Sequence, residues 1–164
     1  MHLGASNWAV LVCLLTFAGL IWWVESSGLD DVSGPAKVVD GDSLALPSGQ
    51  VRLKGIDAPE GRQRCLKNGK EWACGRASTQ ALRELVTGKE VVCDGQQLDR
   101  YDRLLAICWV GDVKINQVMV RDGWAVAFGD QFLREERAAK AAQRGLWQGT
   151  FERPAVWRAK NRGR

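Results

Sequence analysis

The sequence predicts an α+β fold, mainly β, in which five short strands close into a small barrel with about three helices, preceded by an N-terminal apolar helix. Short runs rich in β-branched and aliphatic residues are separated by Gly, Pro and Asp turns, which is typical of strands. Three further segments carry apolar residues at helical spacing. With 164 residues, 46% of them hydrophobic, the chain has enough apolar material for one domain and a short appendage.

The first element is an apolar segment, for which we predict a helix within residues 1–27. Residues 8–24 contain no charged side chain, so this segment has no polar face to turn toward water. At 1.5 Å per residue it spans about 25 Å, slightly less than a bilayer core of about 30 Å. Trp22 and Trp23 lie at its end, where indole rings favour the headgroup level. The segment therefore indicates either a transmembrane anchor or a signal segment.

The choice between anchor and signal segment depends on the flanks of the apolar run. A signal peptide has an apolar region of roughly 7–15 residues behind a positive n-region. Here the run is longer and only the terminal amine and His2 precede it, although Val24 and Ser26 resemble the small residues before a cleavage site. We favour an uncleaved anchor. Either alternative predicts an exported domain, which is anchored in the inner membrane and faces the periplasm or, if the segment is cleaved, is secreted.

The chain after the apolar segment divides into a linker, a domain and a tail. Residues 28–35 are polar and rich in Gly and Ser, which predicts a linker. We expect the domain over residues 36–158 and a basic tail at 159–164. The first strands are expected at 36–40, 43–46 and 50–57. This meander of three strands ends at Ala58-Pro59, because proline has no N–H to continue a ladder.

Periodicity and turn residues predict the remaining elements. Residues 60–75 are polar and contain several glycines, which predicts a loop. Helices are expected at 76–86, around 115–122 and at 132–144, and strands at 89–93, 104–110 and, as a short last strand, 124–128. Five short strands with a few helices describe an oligonucleotide-binding type barrel better than a sandwich.

Residues 38–60 place four carboxylates close to one arginine. Asp40 and Asp42 lie in one turn, and Asp57 and Glu60 lie in a second turn at the end of a neighbouring strand. The sequence Asp-Gly-Asp-Ser alone is better explained by a plain hairpin turn. Two acidic turns that meet repel each other unless a cation lies among them, however. Ca²⁺ suits such a set, because it accepts carboxylate, carbonyl and water oxygens in a flexible shell.

Two arginines add phosphate chemistry to this stretch. Arg52 lies in the middle of one strand, and Arg103 lies at the start of another. Taken singly, Arg52 is better explained as a surface arginine and Arg103 as an ion-pair partner of Asp99 or Asp102. Together with a metal and an unpaired carboxylate, two guanidinium groups supply what phosphodiester cleavage needs, which is neutralised charge at phosphorus and an activated water.

The chain contains five cysteines, of which Cys13 lies in the apolar segment. The even number that remains predicts two disulfides in an exported domain, with three pairings open, among Cys65, Cys74, Cys93 and Cys108. A zinc site is disfavoured, because the sequence has no CxxC pair and its one histidine is His2.

The charge distribution suits an anionic partner. The chain carries 23 basic and 19 acidic residues, a formal net charge of +4. Residues 28–164 carry +5, because the preceding segment holds one acid, Glu25, and no Lys or Arg. A basic domain attracts polyanions such as nucleic acid, although a charge of this size is also common on a solvated surface.

Five separated segments, in order along residues 36–158, resemble the staphylococcal nuclease (thermonuclease-like) family. They read VVDGDSL, VRLKGIDAPE, DRYDRLLA, INQVMVRDGWA and GLW. The family fold is an oligonucleotide-binding barrel with three helices. The resemblance implies a Ca²⁺-dependent endonuclease that hydrolyses phosphodiester bonds of DNA and/or RNA and leaves 3′-phosphate ends. The cysteines match those of exported bacterial members, which implies the disulfides Cys65–Cys74 and Cys93–Cys108.

The resemblance also implies a role for each acidic residue of the site. Asp42 and Asp57 would ligate Ca²⁺ together with the carbonyl of Ala58. Asp40 would lie nearby, in contact with the metal's ligands rather than with the metal. Glu60 would act as general base or orient the attacking water.

Basic and aromatic residues would bind the substrate. By the same resemblance, Arg52 and Arg103 would hold the scissile phosphate, and Arg100 and Tyr101 would contact a nucleotide phosphate.

Three positions depart from the family pattern. Ser43 replaces the usual threonine beside the metal turn and keeps its hydroxyl. Asp102 stands where glycine is common; aspartate tolerates a left-handed backbone, but its charge is expected to weaken phosphate binding modestly. Phe128 is the nearest candidate for the family's stacking aromatic, although a place in the core explains it better.

The leading prediction is a monomeric, membrane-tethered or secreted Ca²⁺-dependent nuclease. One alternative is a non-catalytic module that binds nucleic acid on the same barrel. Another is an accessory protein of cell-envelope or exopolysaccharide production. The enzyme is favoured over the binding module because the acids and arginines of the site are all present, namely Asp42, Asp57, Glu60, Arg52 and Arg103.

Overall fold

A computed structural model describes residues 31–161 of the chain. The predicted apolar helix, Cys13, the first part of the linker and residues 162–164 lie outside the described residues. Within residues 31–161, no helix combines the length and the apolar character needed to cross a bilayer.

A curled, mixed seven-stranded sheet forms the centre of the domain. Its strands in chain order are β1 (Val32–Pro35), β2 (Lys37–Asp40), β3 (Ser43–Leu46), β4 (Gly49–Leu53), β8 (Glu90–Leu98), β9 (Leu104–Val110) and β10 (Val113–Lys114). They are arranged as β1-β8-β9-β4-β3-β2, with β10 added to β9. Five of them, β2–β4, β8 and β9, correspond to the predicted barrel strands. The mainly β fold class is therefore confirmed.

The pair β4–β9 is parallel, and the other pairs of this sheet are antiparallel. Val51 and Leu53 of β4 point into the core, so Arg52 between them points to the opposite face. Arg52 lies opposite Leu105 of β9. Because Arg103 precedes Leu105 by two residues, this register brings Arg52 and Arg103 to neighbouring strands on one side of the sheet.

Two short antiparallel strand pairs lie outside this sheet. Strand β5 (Ile56–Asp57) pairs with β11 (Val126–Ala127), so the predicted last strand is confirmed. Strands β6 (Cys65–Lys67) and β7 (Lys70–Trp72) form a hairpin within the segment that was expected to be a loop. The turn between them uses Asn68 and Gly69, both with positive φ, which is the turn chemistry that suits a tight hairpin.

The described residues form four α-helices and one 3₁₀ turn, one helix more than expected. They are α1 (Cys74–Val86), α2 (Ile115–Arg121), α3 (Leu133–Ala141), the 3₁₀ turn (Gly145–Gln148) and α4 (Pro154–Lys160). Helix α1 buries Ser78, Leu82 and Val86, which are spaced four residues apart on one face. These side chains close one side of the core, which the inward residues of β3, β4, β8 and β9 fill from the other side.

Helix α2 is attached to the parallel strand pair by Asn116, which is buried completely. The amide Nδ2 of Asn116 donates to the carbonyl oxygens of Lys54 and Ala106 at 2.9 and 3.1 Å, and its Oδ1 accepts from the Cys108 N–H at 2.9 Å. One side chain therefore satisfies backbone groups at the end of β4 and along β9. This arrangement fixes the two strands that bear Arg52 and Arg103.

Two expectations about the domain boundary differ from the structure. Val32–Pro35 was expected to belong to the linker, but it pairs with Glu90–Cys93 as an edge strand of the sheet. Its Gly and Pro residues suppress the sequence signal of a strand, yet an edge strand accepts both. Helix α4 was not expected either, although it begins with Pro154 at its first turn, which is a favourable place for proline.

Candidate functional site

An open pocket of about 640 Å³ lies beside the parallel strand pair. Four arginines, three acids, one aromatic residue and two others line it, namely Arg52, Arg100, Arg103, Arg158, Asp40, Glu60, Asp99, Tyr101, Gln50 and Leu105. The pocket therefore brings together the arginines and the glutamate that the sequence proposed for the site. Asp42 and Asp57 lie beneath it and are buried.

Arg52 connects the two buried aspartates. Its Nη1 is 3.0 Å from Oδ1 of Asp42, and its Nη2 is 3.1 Å from Oδ1 of Asp57. The carboxylate side chains of Asp42 and Asp57 are only 4% and 3% exposed, so bulk water solvates their charge poorly. The Ala58 N–H also donates to Oδ2 of Asp42 at 3.0 Å, and the Ser43 hydroxyl donates to Oδ1 at 3.0 Å. The hydroxyl retained at Ser43 thus contacts this carboxylate directly.

The electrostatic environment of Asp42 favours a cation. Burial raises the pKa of Asp42 to about 7. The Arg52 guanidinium and the Ala58 N–H act against this shift, whereas the charges of Asp40 and Asp57 add to it. The negative charge of Asp42 is therefore costly in the protein alone, and a further positive charge beside it would relieve that cost.

The turn before β3 requires a glycine because of its surroundings. A Cβ on Gly41 would lie 2.3 Å from the Ser78 hydroxyl of α1 and 2.8 Å from Cβ of Ala58. Gly41 therefore allows the turn to pack tightly between α1 and the second acidic turn. Asp40 accepts the Asp42 N–H at 3.1 Å, so its side chain stabilises the turn itself.

Glu60 is held in the pocket by its loop and by an arginine. A Cβ on Gly75 would come within 1.8 Å of the Glu60 carbonyl oxygen, so the start of α1 accepts this loop only because residue 75 is glycine. The disulfide Cys65–Cys74 closes the same loop immediately before Gly75. Oε1 of Glu60 accepts a hydrogen bond from Nη1 of Arg158 at 3.1 Å.

Arg158 is a residue of the site that the sequence analysis missed. Its guanidinium extends from α4 and also contacts both carboxylate oxygens of Asp57, at 2.9 and 3.2 Å. Arg158 was regarded as the last residue of the domain before a basic tail. The helical start signal at Pro154 could have revealed the element, but nothing local indicates that α4 packs against residues 100 positions earlier.

Arg103 is oriented by a loop between β8 and β9. Its Nε and Nη2 donate to Oδ2 of Asp99 at 2.9 and 2.7 Å, and its Nη1 donates to the Ser43 hydroxyl at 3.2 Å. The ion pair with Asp99 is thus present, and Arg103 also lines the pocket. Burial acts to raise the pKa of Asp99, but hydrogen bonds from Arg103 and from the Tyr101 N–H outweigh it and hold that pKa below its ordinary value.

The same loop carries Arg100, Tyr101 and Asp102. Asp102 has φ of 59°, so the left-handed backbone expected at this position is confirmed. Tyr101 is 63% exposed, and the guanidinium groups of Arg100 and Arg103 lie 4.8 and 5.4 Å from its ring centroid. These side chains form an exposed, positively charged aromatic platform at the rim of the pocket.

The expectation that Phe128 belongs to the core is wrong. Its side chain is 64% exposed, immediately after β11. Together with Gly55 and Gln131 it lines a second pocket of about 500 Å³ that shares Arg52, Leu105 and Arg158 with the central one. The aromatic residue is thus available for stacking beside the site.

The buried acids of the site meet part of what a hard cation needs. No group of three or more His, Cys, Asp or Glu within residues 31–161 is arranged as a ready metal cage. Asp42 and Asp57 nevertheless fit as ligands. Both are buried carboxylates that contact the same cationic group, that of Arg52, and burial raises the pKa of Asp42, so a further cation would be favourable. Ca²⁺ takes its remaining ligands from carbonyl groups and water.

Both disulfides implied by the family resemblance are present in the structure. Cys65 pairs with Cys74, and Cys93 pairs with Cys108. Cys93 and Cys108 are directly opposite each other in the β8–β9 ladder. The second disulfide therefore crosses between two adjacent antiparallel strands.

Comparison with known families identifies the fold and its activity. A family model described as staphylococcal nuclease homologue matches residues 50–149, more than half of the chain. The chain belongs to this family. The matched range includes Arg52, Asp57, Glu60 and Arg103, whereas Asp42 and Arg158 lie outside it.

Individual relatives agree with this assignment. The nuclease domain is 33% identical over 134 residues to an uncharacterized endonuclease of Escherichia coli O157:H7, covering 74% of this chain and 81% of that protein. It is 32% identical over 142 residues to a probable staphylococcal-like nuclease of Oryza sativa subsp. japonica, covering 83% of this chain. The chain spans only 35% of the rice protein's length.

A third relative carries a different description. The chain is 27% identical over 158 residues to the succinoglycan biosynthesis protein ExoI of Rhizobium meliloti (strain 1021), covering 92% of this chain and 82% of that protein. The family and its endonuclease relatives show that this staphylococcal nuclease homologue is a hydrolase that acts on phosphodiester bonds of nucleic acid.

Proposed function

We propose that this nuclease is a Ca²⁺-dependent endonuclease that cleaves DNA and/or RNA and leaves 3′-phosphate ends. The observation that supports the proposal best is the convergence of Arg52, Arg103 and Glu60 on one pocket above two buried aspartates. In a non-catalytic binding module, a carboxylate among phosphate-binding arginines would only weaken binding, because the carboxylate would repel the phosphate.

The arginines are arranged to bind a phosphodiester without large rearrangement. Arg52 is oriented by Asp42 and Asp57, and Arg103 is oriented by Asp99. Guanidinium groups held in this way stabilise the charge that builds up on the phosphoryl oxygens in the transition state, because they are already in place when it develops.

Glu60 supplies the proton acceptor for hydrolysis. In the proposed reaction a water oxygen forms a bond to phosphorus while the bond from phosphorus to the 5′ oxygen breaks. Glu60 accepts the proton from the attacking water, and the departing 5′ oxygen takes a proton from solvent. The products are a 3′-phosphate and a 5′-hydroxyl.

Asp42, Asp57 and the Ala58 carbonyl would hold Ca²⁺, whose charge would help to neutralise the phosphate when bound. Asp40 supports the turn that carries Asp42. In the structure Arg158 donates hydrogen bonds to oxygen atoms of Asp57 and Glu60, so its guanidinium restrains the position of Glu60.

A cleavage assay tests this proposal directly. The full chain, purified in detergent with its disulfides formed, is incubated with single-stranded DNA or RNA in Ca²⁺ or in chelator. We expect Ca²⁺-dependent cleavage to 3′-phosphate ends, and a loss of several orders of magnitude in Arg52→Ala and Glu60→Gln. Arg121→Ala is a suitable control, because Arg121 is an exposed arginine that pairs with its neighbour Asp122. Binding without cleavage in any divalent ion would instead identify a binding module.

We also propose that the domain is exported and acts as a monomer, with residues 1–27 as its membrane anchor. The two disulfides support export, because such bonds persist in oxidising compartments. N-terminal sequencing of the protein recovered from membranes distinguishes an anchor from a cleaved signal. Light scattering of the detergent-free domain tests the monomer.

A role in polysaccharide production is a second candidate, favoured by the similarity to the succinoglycan biosynthesis protein. A deletion strain complemented with the wild-type chain or with Glu60→Gln distinguishes the alternatives. If polysaccharide yield depends on the chain but not on Glu60, the accessory role does not require the nuclease site.

A further inference from the structure

A third pocket lies beside the central one, on the side of Glu60. Its volume is about 520 Å³. It shares Glu60, Arg100, Tyr101 and Arg158 with the central pocket, and its own walls are Gly61, Arg62, Trp157 and Asn161. The Phe128 pocket, by contrast, shares Arg52, Leu105 and Arg158 with the central one. The central pocket therefore lies between two pockets that each contain an aromatic ring.

Trp157 is the distinctive residue of this third pocket. It belongs to α4, and its ring lies 5.4 Å from the guanidinium carbon of Arg62. The indole ring is flat and electron-rich, and the guanidinium group is flat and cationic. Both kinds of surface stack well on nucleobases. Tyr101 stands at the border with the central pocket as a further exposed ring.

Helix α4 is anchored strongly enough to hold this ring in place. Arg153, at the start of α4, donates to Oε1 of the buried Glu136 at 2.7 Å. Gln63 donates to the carbonyl oxygen of Glu152 at 2.7 Å, and Arg158 contacts Asp57 and Glu60 from the same helix. Helix α4 is therefore tied to the body of the domain at both ends, so Trp157 is fixed before any ligand binds.

We propose that the pocket of Trp157, Arg62, Arg100 and Asn161 binds the nucleobase of the nucleotide next to the scissile phosphate, on the Glu60 side. This inference rests on the proposed nuclease function. The base stacks on the Trp157–Arg62 pair, and Arg100 neutralises the adjoining phosphate. Asn161 lines the pocket, and its amide nitrogen donates to the Trp157 carbonyl oxygen at 2.8 Å. The site favours no particular base, because every base has a face that stacks.

The first test measures binding without catalysis. A fluorescein-labelled single-stranded oligonucleotide is titrated with the full chain in chelator, as wild type, Trp157→Ala, Trp157→Phe and Val156→Ala. Val156 is a partly exposed residue of the same helix and serves as the matched control. Loss of one stacked base is expected to weaken binding by about 5- to 150-fold in Trp157→Ala. Trp157→Phe and Val156→Ala are expected to stay within about 3-fold of wild type.

The second test pairs the side chain with the base it binds. The dinucleotide TpT and its two one-base analogues, each with an abasic sugar on one side, are hydrolysed in Ca²⁺ and followed by chromatography. Wild type is expected to hydrolyse TpT faster than the analogue that lacks the base bound by Trp157. The ratio of the two rates should be about the same factor as in the binding test. Trp157→Ala should lose that preference and should match wild type on that analogue.

The outcomes separate this inference from the nuclease proposal. If Trp157→Ala binds the oligonucleotide as Val156→Ala does, or keeps the full preference for TpT, the subsite is refuted. If Trp157→Ala hydrolyses both analogues more slowly than wild type by the same factor, Trp157 acts through Arg158 and the inference is wrong. If no protein cleaves anything, the nuclease proposal fails, while the binding test still decides on the pocket. Should Trp157→Ala not fold, Arg62→Ala in the same assays takes its place.

Discussion

The two buried aspartates beneath the pocket make a quantitative prediction about Arg52. Its guanidinium is the group that bridges Asp42 and Asp57, so replacing it removes positive charge from beneath the site. Arg52→Met keeps most of the aliphatic stem and removes the charge, whereas Asp42→Asn removes one negative charge. If the charges hold each other, the two substitutions together must cost less than the sum of the two alone.

The magnitudes follow from burial and hydrogen bonding. Removing one partner of a buried pair costs about 3–5 kcal/mol of unfolding free energy. We expect about 3 kcal/mol for Arg52→Met, because Arg52 is 20% exposed and Asp57 keeps its contact with Arg158. Asp42→Asn is expected to cost only about 1 kcal/mol, because the lost acceptor for the Ala58 N–H is partly offset by removal of a charge that burial makes costly. The double variant is expected to cost about 2 kcal/mol, which gives a coupling of about 2 kcal/mol.

Urea unfolding in chelator, followed by tryptophan fluorescence, measures all four proteins. A pH of about 8 keeps Asp42 ionised, since its pKa is about 7. The cycle Arg121→Met with Asp122→Asn is a matched control on an exposed pair, where the coupling should be below about 1 kcal/mol. If the losses from Arg52→Met and Asp42→Asn add to within about 0.5 kcal/mol, Arg52 does not hold the acids together and the reasoning is refuted.

Three further predictions concern the loops around the site. Replacing Cys65 and Cys74 by serine should lower the unfolding free energy by about 3 kcal/mol and reduce the cleavage rate; unchanged values of both would show that the disulfide does not hold the loop. Because the pKa of Asp99 is lowered in the folded state, its contribution to stability is present above the pKa of the unfolded chain and is lost as pH falls through the folded pKa. Acid titration of melting temperature should therefore be steeper below about pH 4 for wild type than for Asp99→Asn, and equal slopes would contradict the pairing. Gly75→Ala should reduce kcat by about 100-fold, because its Cβ would meet the Glu60 carbonyl oxygen and displace the backbone of the general base; an unchanged kcat would contradict this reasoning.

The strands that carry the site could be predicted because their signals are local. β-branched and aliphatic runs mark β2, β3, β4 and β9, and Asp-Gly or Pro-Ser-Gly turns separate the first three. The acids lie at strand ends, so their convergence follows from the meander alone. The pairing of the cysteines did not follow from spacing, and it was implied by the family resemblance, which the structure agrees with.

The contribution of α4 could not be predicted, because its role depends on contacts between residues far apart in sequence. Arg158 reaches Asp57 across 101 positions and Glu60 across 98. A basic segment after the barrel is equally compatible with a solvated tail. Phe128 was misjudged for a related reason, since an aromatic residue beside a strand looks the same in sequence whether that strand end points inward or outward.

The parallel pairing of β4 with β9 has a consequence for when the enzyme can act. Arg52 and Arg103 are joined only through a ladder between segments about 50 residues apart, so no local fragment of the chain assembles the phosphate-binding pair. Contacts of this separation form late, after the loop-closure entropy of the intervening chain has been overcome. A chain that is still unfolded would therefore be harmless to nucleic acid. Activity would appear only when the barrel closes, which makes cleavage itself a sensitive reporter of complete folding.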